Sequence, residues 1–126
     1  MKDSKILIVD DAEFMRFTLK RILNKHGFNN IVEAGDGKEA VEVYFKEKPD
    51  LVTMDITMPI MDGIAATKEI CSKDPNALIV IVSAAGQKDK VLEAIKAGAK
   101  YFIVKPFKEE FVIETIMKFL TQKKGG

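Results

Sequence analysis

Leu51-Val52-Thr53-Met54 runs without polar alternation straight into Asp55, and a loop punctuated by Pro59 and Asp62-Gly63 follows. A short run of this kind is a strand buried on both faces, the signature of a parallel sheet covered by helices. Asp55 then sits where a buried strand surfaces, the edge at which open α/β sheets hold their ligands. Taken alone, it could equally end a strand or start a turn.

The rest of the chain repeats the pattern. Lys5–Val9 is apolar after its first residue and ends in Asp10-Asp11. From Ala12 to His26 the period becomes helical, with Met15, Leu19, Ile22 and Leu23 on one stripe and Phe14 beside it. Asn30–Ala34 is a weaker strand, followed by a helix with Ala40, Val41, Tyr44 and Phe45 on one face. After the central strand, a helix from about Ile64 buries Ile64, Thr67, Ile70 and Cys71. Leu78–Val82 ends at Ser83, and the next helix is expected to turn Val91, Leu92 and Ile95 inward. Tyr101–Val104 ends at Lys105-Pro106, and the last helix carries Phe111, Val112, Ile116, Phe119 and Leu120. Five strands alternating with five helices through short loops imply right-handed crossovers, hence a doubly wound parallel (βα)5 sheet.

Composition sets outer bounds. At 126 residues, 47% hydrophobic and 31% charged, the chain has the size and balance of one globular domain. A single cysteine, Cys71, excludes an internal disulfide and reads as a small packing residue on its helix. No apolar run is long enough to span a membrane and the start does not resemble an export signal, so the expected compartment is the cytoplasm. The lone His26 reads as a helix-end residue. Residues 1–63 hold nine Lys/Arg against twelve Asp/Glu, and residues 85–126 hold nine against five. That imbalance is too weak and interleaved for a nucleic-acid footprint, but it suits a protein partner.

In a parallel sheet the C-terminal strand ends share one edge. Asp10, Asp11, Asp55, Ser83 and Lys105 therefore converge from distant segments. At about 5 Å and an effective dielectric near 20, each carboxylate pair costs about 3 kcal/mol. A hard divalent cation, Mg²⁺ first among them, would offset that repulsion. Each residue has a plainer use: Asp10 or Asp11 could cap the first helix, Ser83 could cap a turn, and Lys105 could be solvated.

Together, Val9-Asp10-Asp11, Met54-Asp55 with Met58-Pro59 and Asp62-Gly63, Val82-Ser83-Ala84, and Val104-Lys105-Pro106-Phe107 resemble the receiver domain of two-component response regulators. The likeness spans about Lys5 to Leu120 and is strongest to single-domain chemotaxis regulators, through Asp55–Pro59 and Ala97–Phe107. It implies a single receiver domain over 1–126, with a core of about 5–120 and a tail at 121–126. It also implies a flavodoxin-like sheet of order 2-1-3-4-5, an order taken from the family and not from the residues.

By the same resemblance, Asp55 accepts a phosphoryl group from a histidine kinase. Mg²⁺ is held by Asp11, Asp55 and the backbone carbonyl of Thr57, with Asp10 acting mainly through water. Lys105 pairs with the phosphoryl oxygens, and Ser83 moves to hydrogen-bond them. Ser83 and Phe102 form the switch, and Lys105-Pro106 is expected to be cis. Such a protein is a phosphorylation-activated switch and not a turnover enzyme. Its partners would be the kinase, a downstream target such as the flagellar motor switch, and a phosphatase. It is expected to be monomeric, off the membrane and without direct nucleic-acid contact. Thr57 and Ala85 are smaller than in some relatives, and Phe102 stands where chemotaxis members often carry Tyr.

Other functions fit the residues less well. A flavin carrier of the same fold needs a phosphate-binding loop after strand 1, where Asp10-Asp11 would repel phosphate. An aspartyl-phosphate phosphatase would place its nucleophile after strand 1, not strand 3. Within the family, the alternative is a phosphorelay intermediate or a receiver domain excised from a larger regulator.

Overall fold

The computed structural model describes residues 2–125, the side chains of 124 and 125 excepted. Five strands, β1 (Ile6–Val9), β2 (Ile31–Ala34), β3 (Leu51–Asp55), β4 (Ile79–Ala84) and β5 (Tyr101–Lys105), alternate with five helices. These are α1 (Glu13–Lys25), α2 (Gly37–Glu47), α3 (Gly63–Lys73), α4 (Lys88–Ala97) and α5 (Glu109–Gly125). All strand pairs are parallel, in the order β2-β1-β3-β4-β5, as expected.

Strand alternation divides the interior into two cores. Leu7, Val9, Val52, Met54, Ile79 and Ile81 meet Ala40, Tyr44, Ala66, Ile70, Val91 and Ala94 on the α2–α3–α4 side. Ile6, Ile8, Leu51, Val80, Val82 and Ile103 meet Leu19, Leu23, Val112, Ile116 and Leu120 on the α1–α5 side. The central strands are buried on both faces, which is why their sequences lack polar alternation.

The helix faces were only partly legible. Leu92 and Ile95, expected inward, are 52% and 38% exposed, whereas Val91 and Ala94 are buried. α4 packs against α3 and β4, and its buried residues, Val91 and Ala94, are an i, i+3 pair that forms a narrow seam. Phe14, Phe45 and Phe111 are likewise exposed at the flanks of their stripes. The tail expected from 121 is helical as far as Gly125, and Lys123 there reaches the carbonyl of Asp50 at 3.2 Å.

The β3–α3 loop carries the positions next to Asp55, and it is tightly held. The Gly63 amide donates back to the Ile56 carbonyl at 2.7 Å, and the Asp62 side chain caps α3 by accepting from the Ala65 amide at 2.8 Å. A Cβ on Gly63 would lie 1.9 Å from the Asp55 carbonyl oxygen, so only glycine fits. Between Pro59 and Met61 the chain makes a γ-turn, with a 2.7 Å bond from the Met61 amide to the Pro59 carbonyl. Its central residue, Ile60, has φ 70°.

Candidate acidic site at the strand ends

The C-terminal strand edge brings together the residues that the sequence placed there. One carboxylate oxygen from each of Asp10, Asp11 and Asp55 lies within 4.8 Å of the others. Neither Asp10 nor Asp11 caps α1, whose N-cap is Ala12. Instead, Asp10 Oδ1 accepts from the Ala12 amide at 2.9 Å, and Asp10 Oδ2 takes the Lys105 ammonium at 3.2 Å. Lys105 also reaches Asp55 Oδ1 at 3.5 Å, so it is committed to the acidic cluster and not free in solvent. Its peptide bond to Pro106 is cis, as expected.

Asp55 is 7% exposed. Burial and, second, the neighbouring Asp10 raise its pKa to about 6, against the opposing pull of Lys105. The single ammonium therefore under-compensates three carboxylates. The donor set, three hard anionic oxygens with solvent access through exposed Asp11, fits a divalent cation that keeps several waters. Both Asp10 oxygens are already engaged, which suits it to the indirect, water-mediated part expected of it.

Ser83 is buried at the end of β4, and its hydroxyl has no hydrogen-bond partner among the described residues. A buried, unpaired hydroxyl carries a desolvation cost, and it is available to an incoming acceptor. Thr57 is exposed, two residues past Asp55, and its hydroxyl accepts from the Gln87 carboxamide at 3.0 Å. The β4–β5 register pairs Ile81 with Phe102 and Ser83 with Val104, which puts Phe102 and Ser83 on the α4 side and Lys105 on the other. Ser83, Val91, Leu92, Phe102 and Val104 line one apolar cavity of about 420 Å³. Phe102 is 41% exposed at its rim. A larger groove of about 740 Å³ between α3 and α4 lies away from the three clustered carboxylates; Cys71 is on its wall, packed against Gly98.

Three contributors escaped the sequence reading, Gln87 beside Thr57 being one. Arg16 donates to the Asp10 carbonyl at 2.6 Å and pairs with Glu33 of β2 at 3.0 Å, pinning the acidic turn to the edge strand. A basic residue on an amphipathic helix carries no signal for such a role. Gly63 had been legible only as turn punctuation, whereas its lack of a side chain is what lets α3 start against the Asp55 carbonyl.

A family described as the response regulator receiver domain matches residues 6–117. The chemotaxis protein CheY of Thermotoga maritima is 59% identical over 114 residues, covering 90% of this chain and 95% of that protein. The structure of a CheX–CheY–BeF3–Mg²⁺ complex from Borrelia burgdorferi superposes at a TM-score of 0.85 and 42% identity, over 91% of this chain and 87% of that one. NtrX from Brucella abortus matches at a TM-score of 0.89 and 31% identity, over 97% of this chain but only 28% of its own. With its acidic edge, its sheet order and these relatives, the chain belongs to the receiver-domain family of two-component response regulators and is CheY-like over nearly its full length.

Proposed function

We propose that the protein is a phosphorylation-activated chemotaxis switch, with Asp55 as the acceptor of a phosphoryl group from a histidine kinase. The observation that carries this reading is the convergence of Asp10, Asp11, Asp55 and Lys105 around one buried carboxylate, beside an unpartnered Ser83 hydroxyl. Asp55 Oδ attacks the phosphorus of a phosphohistidine, the P–N bond breaks, and the imidazole leaves with its electron pair and takes up a proton. A carboxylate is a weak nucleophile toward an anionic phosphoryl group, so catalysis rests on charge neutralisation and alignment. Mg²⁺, held by Asp11, Asp55 and the Thr57 carbonyl, would supply part of that neutralisation. Lys105 would turn from the carboxylates to the new phosphoryl oxygens, and Ser83 would donate its hydroxyl to them. Water later hydrolyses the acyl phosphate, so the cycle is self-limiting and turns over no external substrate.

The output face would be α4–β5–α5. Ser83, drawn toward the phosphoryl group, vacates part of the cavity that it shares with Phe102, and the phenyl ring can enter at no polar desolvation cost. The complex of the Borrelia relative with CheX, BeF3 and Mg²⁺ supports a partner that acts on the loaded state, and the chemotaxis relatives favour a flagellar target. Among the described residues no helix is long and apolar enough to cross a membrane. Incubation with acetyl phosphate and Mg²⁺ should add one phosphoryl group to the protein and none to Asp55→Asn; equal labelling of that variant would remove the assignment. The match to a small part of NtrX favours, as second reading, a module of a relay or larger regulator. Onward transfer from Asp55 to a histidine would mark a relay, and decay to inorganic phosphate would mark a terminal switch.

A further inference from the structure

Gln87, at the start of α4, ties together the two loops that frame Asp55. Its carboxamide oxygen accepts from the amide of Ala84, the residue after Ser83, at 3.0 Å. Its carboxamide nitrogen donates to the hydroxyl of Thr57, two residues after Asp55, at 3.0 Å. Asp55 lies opposite Val82 in the β3–β4 register, so a phosphoryl group on Asp55 that reaches toward Ser83 enters the gap between these two loops. The Gln87 side chain spans the same two loops. The structure thus holds two donors side by side at the end of β4: the Ser83 hydroxyl, buried and unpartnered, and the Ala84 amide, occupied by Gln87.

We propose that Gln87 is a positioning residue for phosphoryl transfer: in the resting protein its carboxamide occupies the Ala84 amide and latches Thr57, and loading the site requires its displacement. This rests on Asp55 being the phosphoacceptor. A phosphoryl oxygen is a charged acceptor and outcompetes a neutral carboxamide for the same amide, so the exchange runs in the direction of loading. The displaced Gln87 then lets the β4–α4 loop move independently of Thr57. Gln87 lowers the occupancy of the loaded state by stabilising the unloaded one, and the contribution of its hydrogen bonds sets the size of the effect.

The test is binding of beryllofluoride in saturating Mg²⁺, followed by ¹⁹F NMR, together with Mg²⁺ titration alone. Gln87→Leu should bind beryllofluoride about fivefold more tightly, the equivalent of one net hydrogen bond, with unchanged Mg²⁺ affinity and a shifted Ala84 amide resonance. Gln87→Glu keeps an acceptor for Ala84 but sets a negative charge beside the incoming anion, and should bind more weakly than wild type. Opposite effects at one position are not produced by general loosening of a loop. Equal or weaker binding by Gln87→Leu, or a parallel change in its Mg²⁺ affinity, would overturn the proposal. Asp55→Asn should bind no beryllofluoride. If it binds as wild type does, the reading of Asp55 fails and this inference with it; if Asp55 is required and Gln87→Leu is silent, only the inference fails.

Discussion

Removing the charge of Asp55 should stabilise the metal-free protein at neutral pH. Its pKa is raised to about 6, first by burial and then by Asp10, so the folded chain binds a proton here more readily than the unfolded chain, whose carboxyl titrates near 4. Between those values the native state holds more protons, and stability must fall as pH rises from about 4 to about 6. A shift of two units corresponds to about 3 kcal/mol. Asp55 opens onto the exposed Asp11 and the solvent around it, and screening there leaves about 1–2 kcal/mol. For a domain of this size that is a change of about 4–8 °C in Tm. Thermal melts in chelator at pH 5 and pH 7 should show Asp55→Asn more stable than wild type by that margin at pH 7 and by about half of it at pH 5. Adding Mg²⁺ at pH 7 should raise the wild type and erase the gap, because a ligand of the folded state adds stability by mass action. A variant that is less stable than wild type at both pH values would refute the argument that the cluster is under-compensated.

Three other outcomes test the surroundings of the site. Gly63→Ala forces a Cβ to 1.9 Å from the Asp55 carbonyl and should cost about 3 kcal/mol or more by chemical denaturation, with weakened Mg²⁺ binding. Ile60→Gly relieves a left-handed β-branched residue that is 79% exposed, and should gain about 1 kcal/mol in the same assay. Phe102→Ala should leave acetyl-phosphate labelling of Asp55 intact while weakening capture of the loaded protein by its partner about tenfold or more, read by calorimetry.

The three central strands were legible because burial on both faces leaves no room for polar alternation, and each apolar run stops at a polar residue that is itself still buried: Asp10, Asp55, Ser83. The acidic edge followed from topology alone, since a parallel sheet has one C-terminal edge. The helices were less legible. Periodicity marks a stripe but not its width, so Leu92 and Ile95 were read as interior although α4 rests on the sheet through Val91 and Ala94. Arg16 and Gln87 were invisible for a different reason. Each acts through one or two hydrogen bonds to a distant main-chain or hydroxyl group, and no spacing rule links Gln87 to Thr57, thirty positions away. The Gly63 contact is of the same kind, a steric requirement set by a carbonyl that only the fold brings near.

Reductive trapping tests the central claim most directly. Borohydride converts an aspartyl phosphate to homoserine, so protein loaded by its kinase or by acetyl phosphate in Mg²⁺ should yield homoserine at position 55 on peptide sequencing, with Asp10 and Asp11 unchanged. Homoserine at position 10 or 11, or a loaded protein whose phosphoryl group survives borohydride and resides on Ser83 or another hydroxyl, would contradict the account.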